Sequence, residues 1–179
     1  MKSICMTVLP LLASVGMLSA VGAQHATAQE TKAVFTIDIA AKDENPKTGQ
    51  VGPLIVKEKN VSAHEIDLGR TMDQNTWYRI EIRRNGGPVP KTEEMRRREA
   101  RQKTADSMAS PFFLTLKPGE EAQFDLPISS FYEMTEPGVY EITLAREADP
   151  EHSGRTVTVK SNTISITVLP ADDPPSKNP

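Results

Sequence analysis

Apolar and polar residues alternate with period two in short runs over most of the chain, and clusters of Pro, Gly, Asn and Asp separate the runs. In Ala33 to Ala41, Phe35, Ile37 and Ile39 share one face and Thr36 and Asp38 the other, which predicts a half-buried strand. Asp43 to Gly49 breaks it, and Leu54 to Lys59 predicts a second strand ahead of the turn residues Asn60, Ser62 and Ala63. Trp77 to Arg84 sets Tyr78, Ile80 and Ile82 against Arg79, Glu81 and Arg83, leaves Trp77 out of phase, and ends in the turn signal Asn85-Gly86-Gly87-Pro88. Further strands are predicted over Phe112 to Leu116, Ala122 to Leu126 and Val139 to Ala145, with a brief helical connection over Pro127 to Met134. In Arg155 to Val168 the apolar sets Val157/Val159 and Ile164/Ile166/Val168 differ in parity. Keeping both on the core side therefore requires a bulge or break near Lys160-Ser161-Asn162. The count is seven strands in an all-β domain, and periodicity leaves a two-sheet sandwich and a small barrel both open.

One stretch breaks the period. Lys91 to Ala109 carries Lys91, Arg96, Arg97, Arg98, Arg101 and Lys103 against Glu93, Glu94, Glu99 and Asp106, so it is locally basic. Thr92 can cap a helix, acids open it, and Glu93/Arg97, Glu94/Arg98 and Glu99/Lys103 stand four apart in the favourable order. Met95 and Met108 are its only large apolar side chains, so the segment reads as a solvated helical insert at residues 91–109. Arg96, Arg97, Arg98 and Arg101 are its candidate contact to an anionic partner.

The N-terminus changes the picture of where the chain resides. Residues 1–28 hold Lys2, an apolar run from Ile4 to Ala23, and the small-residue end Ala26-Thr27-Ala28, as a secretory signal peptide does. Cleavage after Ala28 or after Ala23 is compatible with the residues, and the expected location is periplasmic or extracellular, with no membrane insertion once the signal is removed. The sandwich is expected over residues 29–169 and a disordered tail over 170–179. Of 179 residues, 37% are hydrophobic and 25% charged, and the formal net charge is −3. Loss of Lys2 leaves 20 basic against 24 acidic side chains, a balance that disfavours nucleic acid as a partner. The single cysteine, Cys5, falls in the leader, so stability rests on the core without disulfides.

Leu116-Lys117-Pro118-Gly119-Glu120, Phe124, Pro137 to Ile142 and Ser161 to Ile166 resemble secreted bacterial immunoglobulin-like β-sandwich domains. They are also similar to the sandwich of the intracellular proteinase inhibitor family. The resemblance implies a seven-stranded immunoglobulin or fibronectin III-like sandwich. Gly138-x-Tyr140 resembles a tyrosine corner, in which the hydroxyl ties an upstream backbone group. These are turn and core residues, so they imply a fold and no activity.

Chemistry-bearing patterns are few. His64 and His152 lie in predicted loops with no His or Cys at metal-ligand spacing, and the common nucleophile, dinucleotide, phosphate-loop and zinc-protease signatures fail. Ser153 beside His152 is a sequence neighbour, which does not define a triad. Asp43-Glu44-Asn45 and Asp172-Asp173 read as turn chemistry rather than calcium ligands, and Asn60-Val61-Ser62 as a chance glycosylation sequon. No catalytic, cofactor or metal residues are assigned. The expectation is a non-enzymatic secreted module that binds a protein or an envelope component. A protease inhibitor and an enzyme of unrecognised type are the alternatives.

Overall fold

A computed structural model describes residues 33–104 and 112–172. The expected signal peptide (1–28), most of the expected tail (beyond Asp172) and the end of the insert with Met108 lie outside the described residues.

The described chain is mostly β, in antiparallel ladders. β1 (Phe35–Ala41), β2 (Leu54–Asn60) and β7 (Glu121–Leu126) form one sheet in the order β1-β2-β7. A second runs β10-β8-β4-β5, built from β10 (Ile164–Val168), β8 (Gly138–Ala148), β4 (Arg79–Arg84) and the two-residue β5 (Gly87–Pro88). β9 (Val157–Lys160) adds to β8. A third ladder pairs β3 (Ile66–Arg70) with β6 (Phe112–Leu116). Helix α1 spans Glu93–Thr104 and α2 spans Ile128–Phe131.

Alternation decides which faces meet. Phe35, Ile37 and Ile39 of β1, Leu54 and Val56 of β2, Tyr140, Ile142 and Leu144 of β8, and Ile166 and Val168 of β10 point into one buried cluster. Each such side chain contributes about 1.5–3 kcal/mol on burial, so this shared interior is what holds a disulfide-free domain together. The final segment is broken where the parity change requires, between Lys160 and Ile164. Ser161 bridges the gap, because its N–H and hydroxyl oxygen satisfy the C=O and N–H of Leu144. Asn162 then turns its side-chain amide to β1, accepting from the N–H of Ile39 at 2.8 Å and donating to its carbonyl at 2.9 Å. One side chain thus fills the place of a neighbouring strand on β1.

Two turn readings hold in detail. Asn85 and Gly86 sit at φ 48° and 83°, which suits a tight hairpin from β4 into β5. Gly138 is at φ 149°, and a Cβ there would meet Arg84 and Asn85 side-chain atoms at 3.1 Å, so the position excludes larger residues. Two residues later the Tyr140 hydroxyl donates to the Glu136 carbonyl at 2.8 Å, with the ring fully buried.

The segmentation is finer than seven strands: ten are formed by the described residues. The unanticipated β3 alternates Ile66, Leu68 and Arg70 inward with Asp67 and Gly69 outward. An inward arginine and an outward glycine hide that alternation from a hydropathy pattern. β3 and β6 continue the β2 and β7 ladder past a corner at Asn60, whose backbone N–H and C=O bond Glu120 and Gly119.

Candidate binding surface

Helix α1 forms as its charges and cap predict. Thr92 accepts from the Met95 N–H at 3.2 Å, and the buried Met95 anchors an otherwise exposed helix. The four candidate arginines are all engaged. Arg97 pairs with Glu93 at 2.5 Å, Arg98 with Glu94 at 3.0 Å, Arg101 with Glu94 at 3.5 Å, and Arg96 reaches Glu133 at 3.8 Å while donating to the Lys91 carbonyl. The Arg98 guanidinium beside Glu94 lowers that carboxyl's pKa. Glu99 takes Lys91 as partner. These are exposed pairs, each contributing about 0–1 kcal/mol, so they order the helix surface and leave its positive charge largely compensated at short range.

The loop histidines are brought to β3 and to a neighbouring acid. His152 Nε2 lies 3.1 Å from Asp67 Oδ2, and His64 Nε2 lies 3.4 Å from Glu151. Thr115 donates to Asp67 at 2.6 Å, and this bond, with His152, lowers the Asp67 pKa. Ser153 is turned away: its N–H and hydroxyl both point to Asp149. Serine, histidine and acid therefore do not form a relay here. Asp149 also accepts from the Gly154 N–H; burial would raise its pKa, but these backbone bonds prevail and lower it. Asn60 is fully buried, donating to the His64 and Leu116 carbonyls and accepting from Ser62. Its amide holds the corner between β2 and β3 and is not presented to a glycosylating enzyme.

The least expected feature is a buried ionic cluster between the sheets. Glu58 of β2 is fully enclosed and accepts from Arg70 at 2.7 Å, from the Tyr78 hydroxyl at 2.6 Å and from Arg146. Arg146 also donates to the Gly69 carbonyl. Burial, then the neighbouring Glu58 carboxylate, push the Tyr78 phenol far above its ordinary range, so it stays a donor. Two guanidinium groups against one carboxylate leave a net positive charge inside. Aromatic faces offset it: Arg70 lies 4.2 Å from the Trp77 ring centroid and 4.4 Å from that of Phe124. The Arg70 Nε, buried, has no hydrogen-bond partner, which fits a cation held by rings as much as by oxygens.

Trp77 links this cluster to the surface. Its indole N–H donates to the Thr71 carbonyl at 2.9 Å, its ring packs edge-to-face with Phe124 at 5.4 Å, and it lines an open groove of about 320 Å³. Met72, Phe112, Pro127 and Phe131 line the rest, with Asp73 and Arg98 at the polar rim. Met72 is 86% exposed, Phe112 46% and Phe113 53%. Single exposed apolar residues are ordinary, but Met72 and Phe112 together beside one groove, with Phe113 on the opposite face of the same strand, mark a contact surface. Trp77 being out of phase with its strand was the only sequence sign of the groove. Met72, just past β3, and Phe112, which opens β6, line the same groove, and the hydropathy pattern did not reveal β3.

No protein-family model matches the chain, and no curated protein is similar enough to stand as a relative. Among the described residues no helix is long and apolar enough to cross a membrane, and no group of His, Cys, Asp and Glu is arranged to hold a metal ion.

Proposed function

We propose that the chain is an exported, non-catalytic binding module of the cell envelope, with an immunoglobulin or fibronectin III-like sandwich as scaffold. Its contact surface is the groove beside Trp77. The fold part of this reading is supported by the β1-β2-β7 and β10-β8-β4 sheets sharing one interior and by the Tyr140 hydroxyl bonded to Glu136 in the manner of a tyrosine corner. The observation that carries the binding part is the concentration of exposed Met72 and Phe112 around the groove. Trp and Tyr anchors held rigidly by packing and hydrogen bonds are what protein contact sites use, because little conformational freedom is lost on binding. The indole of Trp77, fixed by Thr71 and stacked on Arg70, has that character. The occupant is a protein presenting an apolar side chain to this groove.

A photo-crosslinking amino acid placed at Met72 in the exporting cell should give a discrete heavier adduct containing a second protein. The same probe at Arg97 on the far side of α1 should give none. Absence of any adduct at position 72 refutes the groove reading, and an adduct at 97 alone moves the contact to the arginine-bearing helix. An adduct at twice the chain mass reports self-association and refutes a contact with a second protein at position 72.

A further inference from the structure

Most sheet edges formed by the described residues carry a visible device against pairing, and the outer sides of β9 and of β4 ahead of β5 present the charged Lys160, Arg79 and Glu81. The free side of β1 is occupied at its middle by the Asn162 amide, which bonds both backbone groups of Ile39. The outer side of β10 is covered by the segment before β2, through Thr167 to Glu44, Leu169 to Pro46 and Thr48 to Leu169 backbone bonds. β7 is an edge strand but presents the exposed Glu121, Gln123 and Asp125, and β5 is two residues long. Charge on an edge and short edge strands are the ordinary means of preventing edge-to-edge association. On β3, the side away from β6 meets the turn after β8, where the Asp67 N–H donates to the Pro150 carbonyl.

β6 is treated differently. Phe112–Leu116 reads Phe-Phe-Leu-Thr-Leu, with no charge and no proline. Among the described residues its backbone bonds to no strand but β3. Phe113 packs outward on Gly69 and against the His152 ring, and Phe112 points toward the groove. An uncharged β-prone strand whose second edge has no strand beside it among the described residues is a template for another strand.

We infer that β6 is a self-association edge, pairing antiparallel with β6 of a second copy about a two-fold axis at Leu114. Antiparallel pairing of a strand with itself is an isologous contact, in which each residue finds its mirror position. About Leu114 that register sets Phe112 against Leu116, Phe113 against Thr115 and Leu114 against its own counterpart. No charged side chain stands opposite another. The same operation on β7, centred between Gln123 and Phe124, would set Glu121 opposite Leu126 and bring Asp125 near Ala122, so two uncompensated acids would enter the joined sheet. Charge compatibility therefore favours a second copy at β6 and disfavours it at β7. The interface is small: one five-residue strand with Met72 and two partly exposed phenylalanines falls short of the roughly 800 Å² per partner of a stable complex. The dimer is accordingly a reversible one that forms as concentration rises, and it goes beyond the binding reading above because it needs no other protein.

The test is sedimentation equilibrium of the purified protein from about 1 to about 100 μM, a span suited to micromolar dissociation constants. Amide hydrogen exchange at the two ends of the range accompanies it. The expected result is a monomer to dimer equilibrium in which the amides of Phe112–Leu116 become protected with concentration. Leu114→Lys, which sets two like charges directly opposite at the axis, should weaken the dissociation constant at least tenfold. Phe113→Lys, at an exposed position away from the core, is the second variant should the first fail to fold, and it should weaken association as well. Glu121→Lys on β7 should leave association unchanged. A monomer at every concentration overturns the inference, whether the β6 amides exchange freely or are protected within one chain. A dimer insensitive to both β6 variants overturns it too.

Discussion

Replacing Glu58 by Gln leaves the shape of the inter-sheet cluster nearly unchanged and removes its one negative charge. Arg70 and Arg146 then face each other with net charge near +2, in a site where neither is more than 7% exposed. The neutral amide can still accept from Tyr78 or one arginine, so the loss is not of every hydrogen bond. What is lost is the compensation of two cations in an interior of low dielectric constant. Breaking a buried pair by removing one partner costs about 3–5 kcal/mol, which is at least about a fifth of the roughly 5–15 kcal/mol that stabilises a domain. The ring faces of Trp77 and Phe124 offset part of the charge on Arg70, at about 2 kcal/mol for a desolvated cation, so the lower half of the range is the expected effect. In urea, with a slope of about 2 kcal/mol per molar, the unfolding midpoint should fall by about 1.5–2 M. Adding Arg70→Met to Glu58→Gln should recover part of that fall, because the double variant again has one cation fewer to compensate. A shift in Glu58→Gln below about 0.5 M, or strict additivity in the double variant, would refute the claim that the carboxylate is what permits the two arginines to be buried.

Two further outcomes follow from single contacts. Tyr140→Phe removes the bond to the Glu136 carbonyl while keeping the ring in the core, so the denaturant midpoint should drop by an amount equivalent to about 0.5–1.5 kcal/mol; coincident midpoints would dismiss the corner. Asp67 has a lowered folded-state pKa, chiefly through Thr115 and then His152. Its contribution is therefore present above the unfolded value near pH 4 and is lost as pH falls through the lower folded value. The stability gap between the parent and Asp67→Asn should shrink as pH is lowered from about 5 to about 2 in denaturant titrations, and a gap that widens would contradict it.

How much of this was legible in the residues depends on which force fixed each part. Strands with one apolar face were legible: in β1, in β4 and in β8 as far as Leu144 the inward residues are the apolar ones, because burial decides the facing. Turns set by backbone geometry were legible for the same local reason, Asn85-Gly86 and Gly138 being residues that tolerate positive φ. The parity change before Ile164 correctly demanded a break, although nothing in it announced that Asn162 would close the edge of β1. The ionic cluster was not legible. Glu58 and Arg70 look like solvated residues of charged stretches, and only tertiary pairing across 12 residues, and across 88 from Glu58 to Arg146, turns them into interior groups. On α1 the Glu93/Arg97 and Glu94/Arg98 pairs were legible from their spacing, whereas Glu133, distant in sequence, comes to Arg96 only through the fold.

The same contrast explains why the surface feature of greatest interest lies where pattern reading was blind. β3 carries its one arginine inward, and that arginine holds Trp77 in place by stacking beneath it. Trp77 in turn walls the groove that Met72 and Phe112 flank. The polar interior and the apolar exterior are thus two sides of one arrangement: a cation buried under an indole leaves the other face of that indole available to the outside. If Glu58→Gln loosens the cluster without unfolding the domain, the indole loses its support. The groove should then be disturbed although no residue lining it has changed. Tryptophan fluorescence reads this directly, since Trp77 is the only tryptophan in the chain. A folded Glu58→Gln variant whose emission and quenching match the parent would separate the groove from the cluster beneath it.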